Sequence, residues 1–164
     1  MRTHLKKYIM LIGLPASGKS SWANDYILQN LEMAFEVVSS DNIIEEKGWQ
    51  EGISYKESHM KHIGFAVSRM EQEFKKHIKN GVNIIHDQTN LTVKTRKKHL
   101  DKVRCYYKFA VVFTIAKEEW WQRFEKRRIK TGKDIPESII EIMTKNFELP
   151  TKKEGFDKII NIQY

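Results

Sequence analysis

The chain has 164 residues, 40% of them hydrophobic and 11% aromatic, which predicts one folded domain spanning residues 1–164 and excludes a disordered protein. Its formal net charge of +8 favours polyanionic partners, with nucleic acid more favoured than an acidic membrane surface. The single cysteine excludes an internal disulfide, and no run approaches the roughly 20 apolar residues of a membrane span, so we expect a cytoplasmic protein without a membrane anchor or an obligate protein partner.

Apolar runs alternate with longer helical patterns along the chain. The runs predicted as strands are residues 8–12, 36–39, 82–87, 106–115 and 158–162. The predicted helices are residues 19–31, a short helix after Asp41, and residues 55–79, 92–103, 117–130 and 136–147. Because several strands are apolar throughout, the pattern predicts an α/β fold with a parallel sheet covered by helices on both faces.

A phosphate-binding loop joins the first strand to the first helix. The stretch GLPASGKS matches the pattern G-x-x-x-x-G-K-[ST], with a strand before it and a helix after it. Lys19 would reach the β and γ phosphates, and Ser20 would offer its hydroxyl to Mg²⁺. The residues predicted to bind the nucleotide are Gly13, Pro15, Ala16, Ser17, Gly18, Lys19, Ser20 and Ser21. The loop indicates a nucleoside triphosphate, and a GTPase is disfavoured because no convincing guanine-binding motif is present.

Two aspartates follow the second and third predicted strands. Asp41 could accept a proton from an attacking hydroxyl or could cap the next helix, and the sequence leaves both roles open. Asp87 emerges at the same edge of the sheet and could complete a magnesium site. The predicted metal ligands are Ser20, Asp41 and Asp87. His86 is interpreted as a hydrogen-bonded histidine at the end of its strand rather than a catalyst.

Basic residues mark two further segments. Arg123 and Arg127 are four residues apart and share one face of a helix that ends in a glycine-containing loop, as a lid over a phosphoryl group requires. A solvated basic face is the alternative, and Trp120 and Trp121 are expected to pack. Residues 94–108 contain seven lysines and arginines, and they could follow a nucleic-acid backbone or simply form a soluble basic helix.

These motifs together resemble the kinase domain of the polynucleotide 5′-hydroxyl kinases, the group that includes the bacteriophage enzyme and the kinase half of the eukaryotic repair kinase–phosphatases. The stretches that carry the resemblance are GLPASGKSSW, SSDNI, HDQTNL, RFEKR with the downstream IP, and FELPTKKEGFDKIINI. Together they run from residue 8 to residue 164, so the resemblance extends over nearly the whole chain.

The resemblance implies a P-loop kinase fold with a central parallel sheet of about five strands and an arginine-bearing lid. It implies transfer of the γ-phosphate of ATP, with Mg²⁺, to a 5′-hydroxyl of DNA or RNA in nucleic-acid repair. Catalysis would then rest on Lys19, on Asp41 as general base, and on Arg123 and Arg127 in the lid.

The chain departs from the phage enzyme at Ile44, where that enzyme has a functional arginine, and at Gln88, where the eukaryotic pattern fits better. The chain is also similar to the kinase-like domain of a nuclear RNA-binding ribonucleoprotein. Two alternatives therefore remain: a P-loop kinase acting on a small sugar, nucleoside or drug hydroxyl, and a non-catalytic, nucleotide-dependent RNA-binding module.

Overall fold

A computed structural model describes residues 5–164, and a five-stranded parallel sheet lies at its centre. The strands are β1 (Lys7–Ile12), β2 (Phe35–Val38), β3 (Asn83–His86), β4 (Tyr107–Thr114) and β5 (Lys158–Gln163). Their order across the sheet is β2-β3-β1-β4-β5, and every neighbouring pair is parallel. The predicted sheet is confirmed, and each strand boundary agrees with its prediction to within one residue.

Among the described residues, six α-helices connect or flank the strands. They are α1 (Lys19–Gln29), α2 (Ser40–Glu51), α3 (Tyr55–Asn80), α4 (Val93–Leu100), α5 (Lys117–Thr131) and α6 (Glu137–Lys145). The predicted helix 92–103 is too long, because α4 ends at Leu100. Two short 3₁₀ turns, Leu31–Met33 and Lys152–Glu154, were not predicted. None of the helices within residues 5–164 combines the length and the apolar character that a membrane crossing needs.

β1 is buried on both faces because it lies in the middle of the sheet. Side chains alternate along a strand, so neighbours point to opposite faces. Tyr8, Met10 and Ile12 pack in one core with residues of α3. Ile9 and Leu11 pack in a second core with residues of α1. Helices therefore cover both faces, as predicted, and the carboxyl ends of the strands are left to form a site.

A third apolar cluster fixes α5 and α6 against the loop that follows β1. Trp120 and Phe124 of α5 pack with Ile140 of α6 and with residues of that loop. The Trp120 indole Nε1 donates a hydrogen bond of 2.7 Å to the carbonyl oxygen of Pro15. The packing role expected of Trp120 is confirmed, and Trp121, although 42% exposed, stacks on Phe124 with ring centres 5.8 Å apart.

Arg96 differs from both interpretations of the basic segment, because it lies inside the protein. Its side chain is fully buried and forms two hydrogen bonds with the Glu154 carboxylate, at 2.7 and 3.0 Å. Its Nη1 also donates to the carbonyl oxygens of Asn90, Leu91 and Glu148 at 2.8 to 3.1 Å. Arg96 thus connects α4 to the loop after β3 and to the segment that leads into β5.

Two further lysines of the basic segment are paired on the surface. Lys98 and Lys102 lie 3.2 and 2.6 Å from the Glu71 carboxylate of α3. Burial tends to raise the pKa of Glu71, but both lysines outweigh it and lower that pKa to about 2. The charge that residues 94–108 offer to a polyanion is therefore smaller than their composition indicates.

Candidate functional site

A cavity of about 800 Å³ lies at the carboxyl edge of the sheet, where the loops after β1, β2 and β3 meet. The predicted site residues that line it are Pro15, Ala16, Gly18, Lys19, Ser20, Ser21, Asp41, Asp87, Arg123 and Arg127. Gly13 and Ser17 do not line it and are buried beneath the loop. The fold therefore brings the loop, both aspartates and both arginines to one cavity.

The glycines allow the loop to turn and to pack. A Cβ on Gly13 would lie 2.8 Å from Ser17 Oγ and 3.0 Å from Phe113 Cβ, so a side chain has no room there. Gly18 has a φ of 93°, a left-handed conformation that favours glycine, and it is the N-cap of α1. The N-terminus of a helix favours an anion, so the loop and α1 together suit a phosphate.

Lys19 lies across the phosphate-binding loop. Its Nζ donates to the carbonyl oxygens of Gly13 and Leu14, at 3.0 and 2.7 Å. Burial lowers the pKa of Lys19 to about 8, against the opposing effect of the Asp87 charge. A lysine in this environment gains from an anionic ligand, because the ligand would stabilise the charged ammonium.

Ser20 and Asp87 come together although they are 67 residues apart in the chain. The Ser20 hydroxyl donates a hydrogen bond of 2.7 Å to Asp87 Oδ2. Burial raises the pKa of Asp87, and it outweighs the lowering effects of the Ser20 hydrogen bond and the Lys19 charge. A second cation would relieve this burial penalty, and hydroxyl and carboxylate oxygens are donors that Mg²⁺ accepts.

These two residues therefore fit a magnesium ion. Within residues 5–164 no group of three histidine, cysteine or acidic side chains forms a ready-made metal site. Mg²⁺ is usually held by one or two protein groups together with substrate phosphates and water.

Asp41 lies in the first turn of α2 and faces the cavity. The alternative in which it caps the helix is wrong, because the N-cap is Ser39, whose side chain accepts a hydrogen bond from the Asn42 amide. The two Asp41 carboxylate oxygens contact three other side chains. The Tyr55 hydroxyl donates to Oδ1, and Lys133 Nζ donates to Oδ2 at 2.7 Å.

The surroundings of Asp41 keep its carboxylate ionised. Burial alone would raise the pKa of Asp41, but the charge and hydrogen bond of Lys133, the hydrogen bond from Tyr55 and the charge of Arg127 lower it below its ordinary value. Burial, followed by the hydrogen bond to Asp41, raises the pKa of Tyr55. Asp41 is thus an acceptor and Tyr55 a donor at neutral pH.

The two arginines of α5 also line the cavity. Arg127 Nη2 is 3.4 Å from Asp41 Oδ2. Arg123 pairs with Glu119 at 2.6 Å, and its guanidinium carbon lies 4.2 Å from the centre of the Tyr164 ring. Their four-residue spacing places both on one helix face, as predicted, and that face lines the cavity.

His86 is fully buried, and its ring nitrogens lie 2.9 Å from the Tyr8 hydroxyl and 3.3 Å from the Gln88 amide oxygen. Burial, followed by the neighbouring His99, lowers the pKa of His86 to about 3. The interpretation of His86 as a satisfied structural residue is confirmed. Ile44 is a core residue that packs on the sheet, so that position carries no polar group toward the cavity.

Sequence reasoning missed Lys133 and Tyr55 as partners of Asp41. By sequence, Lys133 is only the last member of the basic run that begins at Arg123, yet its side chain is 12% exposed and binds Asp41 and Glu45 of α2. Tyr55 was identified only as the start of a helix. The sequence carries no local signal for these contacts, because Lys133 is 92 residues from Asp41.

Comparisons with known proteins agree with this geometry. Human heterogeneous nuclear ribonucleoprotein U-like protein 2 is 29% identical in an alignment of 155 positions that covers 92% of this chain. The chain spans only 21% of that protein's length, and the same holds for its mouse counterpart.

Two solved structures share the fold. A chain of the Pnkp1/Rnl/Hen1 RNA repair complex is 29% identical with a TM-score of 0.69, covering 94% of this chain and 47% of its own length. A sugar kinase from Janibacter sp. is 15% identical with a TM-score of 0.64, covering 96% of this chain and 85% of its own length. The likeness to the sugar kinase shows the P-loop kinase fold alone.

The sequence model of the AAA domain family matches residues 9–150, a span that contains the phosphate-binding loop, both aspartates and both arginines. With its parallel sheet and this loop, the chain has a P-loop kinase fold and belongs to the AAA domain family.

Proposed function

We propose that the chain is an ATP-dependent polynucleotide kinase that transfers the γ-phosphate of ATP to a 5′-hydroxyl end of DNA or RNA. The observation that supports this most strongly is that Lys19 and Asp41, from the ends of two different strands, line one cavity. Phosphoryl transfer needs the phosphate donor and the attacking hydroxyl in line. This cavity offers a phosphate-binding loop at one part and, at another, a carboxylate that could accept the hydroxyl proton.

The donor side would hold ATP through the phosphate-binding loop. Lys19 and the N-terminus of α1 would bind the β and γ phosphates, exchanging the lysine's contacts with loop carbonyls for contacts with phosphate oxygens. Ser20 and Asp87 would hold Mg²⁺, which when bound neutralises charge that develops on the phosphates. A direct bond from Asp41 to the metal remains a prediction, since both its oxygens contact protein donors.

The acceptor side would use Asp41 as general base. The 5′-hydroxyl oxygen forms a bond to the γ-phosphorus while the bond from that phosphorus to the bridging oxygen of ADP breaks, and the hydroxyl proton passes to the Asp41 carboxylate. Its lowered pKa keeps Asp41 ionised at neutral pH, which is the form that a general base needs. Arg123 and Arg127 would stabilise the charge on the phosphoryl group during transfer.

Two observations favour a polynucleotide acceptor over a small alcohol. The chain carries a formal net charge of +8, which suits a polyanion. The chain of the Pnkp1/Rnl/Hen1 RNA repair complex matches at 29% identity over 94% of this chain, a closer sequence match than the sugar kinase at 15%. We extend the proposal to a role in nucleic-acid repair, which the same comparison supports.

The test is transfer of labelled phosphate from γ-labelled ATP. We expect label on 5′-hydroxyl oligonucleotides, no label on matched 5′-phosphate oligonucleotides, and little on a panel of sugars and nucleosides. Binding should weaken steeply with added salt, because each contacted phosphate releases counterions. Label on a small alcohol alone would favour the small-molecule kinase, and ATP binding without any transfer would favour the non-catalytic module.

A further inference from the structure

The helix that carries Asp41 continues as a stripe away from the transfer site. Asp41, Glu45 and Trp49 are each four residues apart on α2, so they lie along one helix face. Eight residues of α-helix correspond to about 12 Å along the axis. Trp49 therefore lies about 12 Å along the axis of α2 from Asp41, the proposed general base, and on the same side of the helix.

A second cavity, of about 360 Å³, lies at Trp49. Its lining includes Trp49, Gly52 and Ile53, together with Glu45 and Tyr55. Glu45 and Tyr55 also line the main cavity, where the Tyr55 hydroxyl binds Asp41. The two cavities thus share Glu45 and Tyr55 as wall residues; we call the pair of cavities the groove, and Trp49 lines only its second cavity.

Trp49 is strongly exposed but stands on a firmly packed helix. Its residue is 90% exposed, the largest value among the exposed large hydrophobic residues of the described chain. The preceding Gly48 is buried against α3, where a Cβ would lie 3.0 Å from Ser58 Cβ. Ser58 Oγ donates a hydrogen bond of 2.6 Å to the Ile44 carbonyl oxygen. The indole therefore projects from a helix that packs closely on α3, and it lines the second cavity.

The charges along the stripe permit a nucleic-acid strand to reach Trp49. An unpaired Glu45 carboxylate would repel phosphates, but this carboxylate pairs with Lys133, which also pairs with Asp41. A flat aromatic ring in such a groove suits stacking, because every nucleobase offers a π face.

We propose that Trp49 stacks on a nucleobase within the first two nucleotides of the acceptor, which makes it a binding residue for the 5′ end. The inference rests on the proposed function, and it gives that function an acceptor subsite. Stacking of one base on an aromatic side chain is worth about 1–3 kcal/mol, which corresponds to roughly 5- to 150-fold in affinity.

The test compares Trp49→Ala, Trp49→Phe and the wild type on two 5′-hydroxyl oligonucleotides, one with ordinary bases and one with abasic sites at its first two positions. We expect Trp49→Ala to raise KM for the ordinary oligonucleotide by about 5- to 150-fold with kcat nearly unchanged. On the abasic oligonucleotide, the wild type and Trp49→Ala should have a similarly high KM. On the ordinary oligonucleotide, Trp49→Phe should retain most of the wild-type affinity. A nucleoside 3′-monophosphate acceptor, as a third arm, separates recognition of one base from recognition of a strand.

The control is Leu28→Ala, which removes another exposed large hydrophobic side chain, 67% exposed, from α1, and Leu28 lines neither cavity. A change in KM below twofold for Trp49→Ala, or an equal rise on the abasic oligonucleotide, would overturn the stacking inference. If the wild type labels no acceptor, the proposed function fails. Stacking is then judged by the anisotropy of a dye-labelled oligonucleotide, where equal binding by wild type and Trp49→Ala would refute it.

Discussion

The buried ion pair between Arg96 and Glu154 should control the stability of the domain. The change we consider is Glu154→Gln, which keeps the shape of the side chain but removes its charge. Arg96 is fully buried, and Glu154 is its carboxylate partner at 2.7 Å. The variant leaves a buried guanidinium with backbone carbonyls but no counter-charge, and breaking a buried pair in this way costs about 3–5 kcal/mol.

That cost is large beside the total stability of a domain, which is about 5–15 kcal/mol. For a chain of this size each 1 kcal/mol lowers the melting temperature by about 2–4 °C, so a decrease of roughly 6–20 °C is expected. The measurement is urea and thermal unfolding of purified protein followed by circular dichroism. The control is Lys97→Met, an exposed neighbour on α4, which should stay within about 0.5 kcal/mol of wild type.

The double variant Arg96→Met with Glu154→Gln sharpens the test. Removing both charges leaves no uncompensated ion, so the double variant should be more stable than the sum of the two single losses indicates. A loss below about 1 kcal/mol for Glu154→Gln, or simple additivity of the two changes, would refute the reasoning that this pair holds the two segments together.

Two predictions concern the site itself. Lys133→Met removes the partner that lowers the pKa of Asp41 most, so the pKa of that carboxyl should rise. Transfer needs the ionised carboxylate and is lost as pH falls through this pKa, so the acid limb of kcat/KM should move to higher pH. An acid limb that stays in place or moves to lower pH in a pH–rate profile would contradict the role of this contact. Gly13→Ala should destabilise the domain by about 1–3 kcal/mol in urea unfolding and weaken ATP binding, because the new Cβ would lie 3.0 Å from Phe113 Cβ. The control Gly64→Ala, whose Cβ would meet nothing within 4 Å, should be neutral or slightly stabilising. Equal effects of the two changes would contradict the packing argument.

The sequence predicted the parts of the molecule whose signals are local. Strand runs, the phosphate-binding loop and the spacing of Arg123 and Arg127 are patterns within a few residues, and the structure places them as expected. The position of Asp87 was also predictable, because the carboxyl ends of parallel strands meet at one edge of a sheet.

Contacts between distant parts of the chain were not predictable in this way. Lys133 and Arg96 each belonged to a run of positive charges, and composition indicates a solvated surface for both. The structure instead pairs Lys133 with Asp41 and buries Arg96 against Glu154. The capping role of Asp41 stayed open for a related reason, since Ser39 and Asp41 are both good capping residues and only the backbone conformation distinguishes them.

The most direct test of the proposed chemistry is single-turnover transfer from γ-labelled ATP to a 5′-hydroxyl oligonucleotide by wild type and Asp41→Asn, with ATP binding measured in parallel. Asparagine keeps the shape of the side chain but cannot accept the proton, so the transfer rate should fall by about 10²- to 10⁴-fold while ATP affinity stays near that of wild type. Transfer by Asp41→Asn at the wild-type rate would contradict the account.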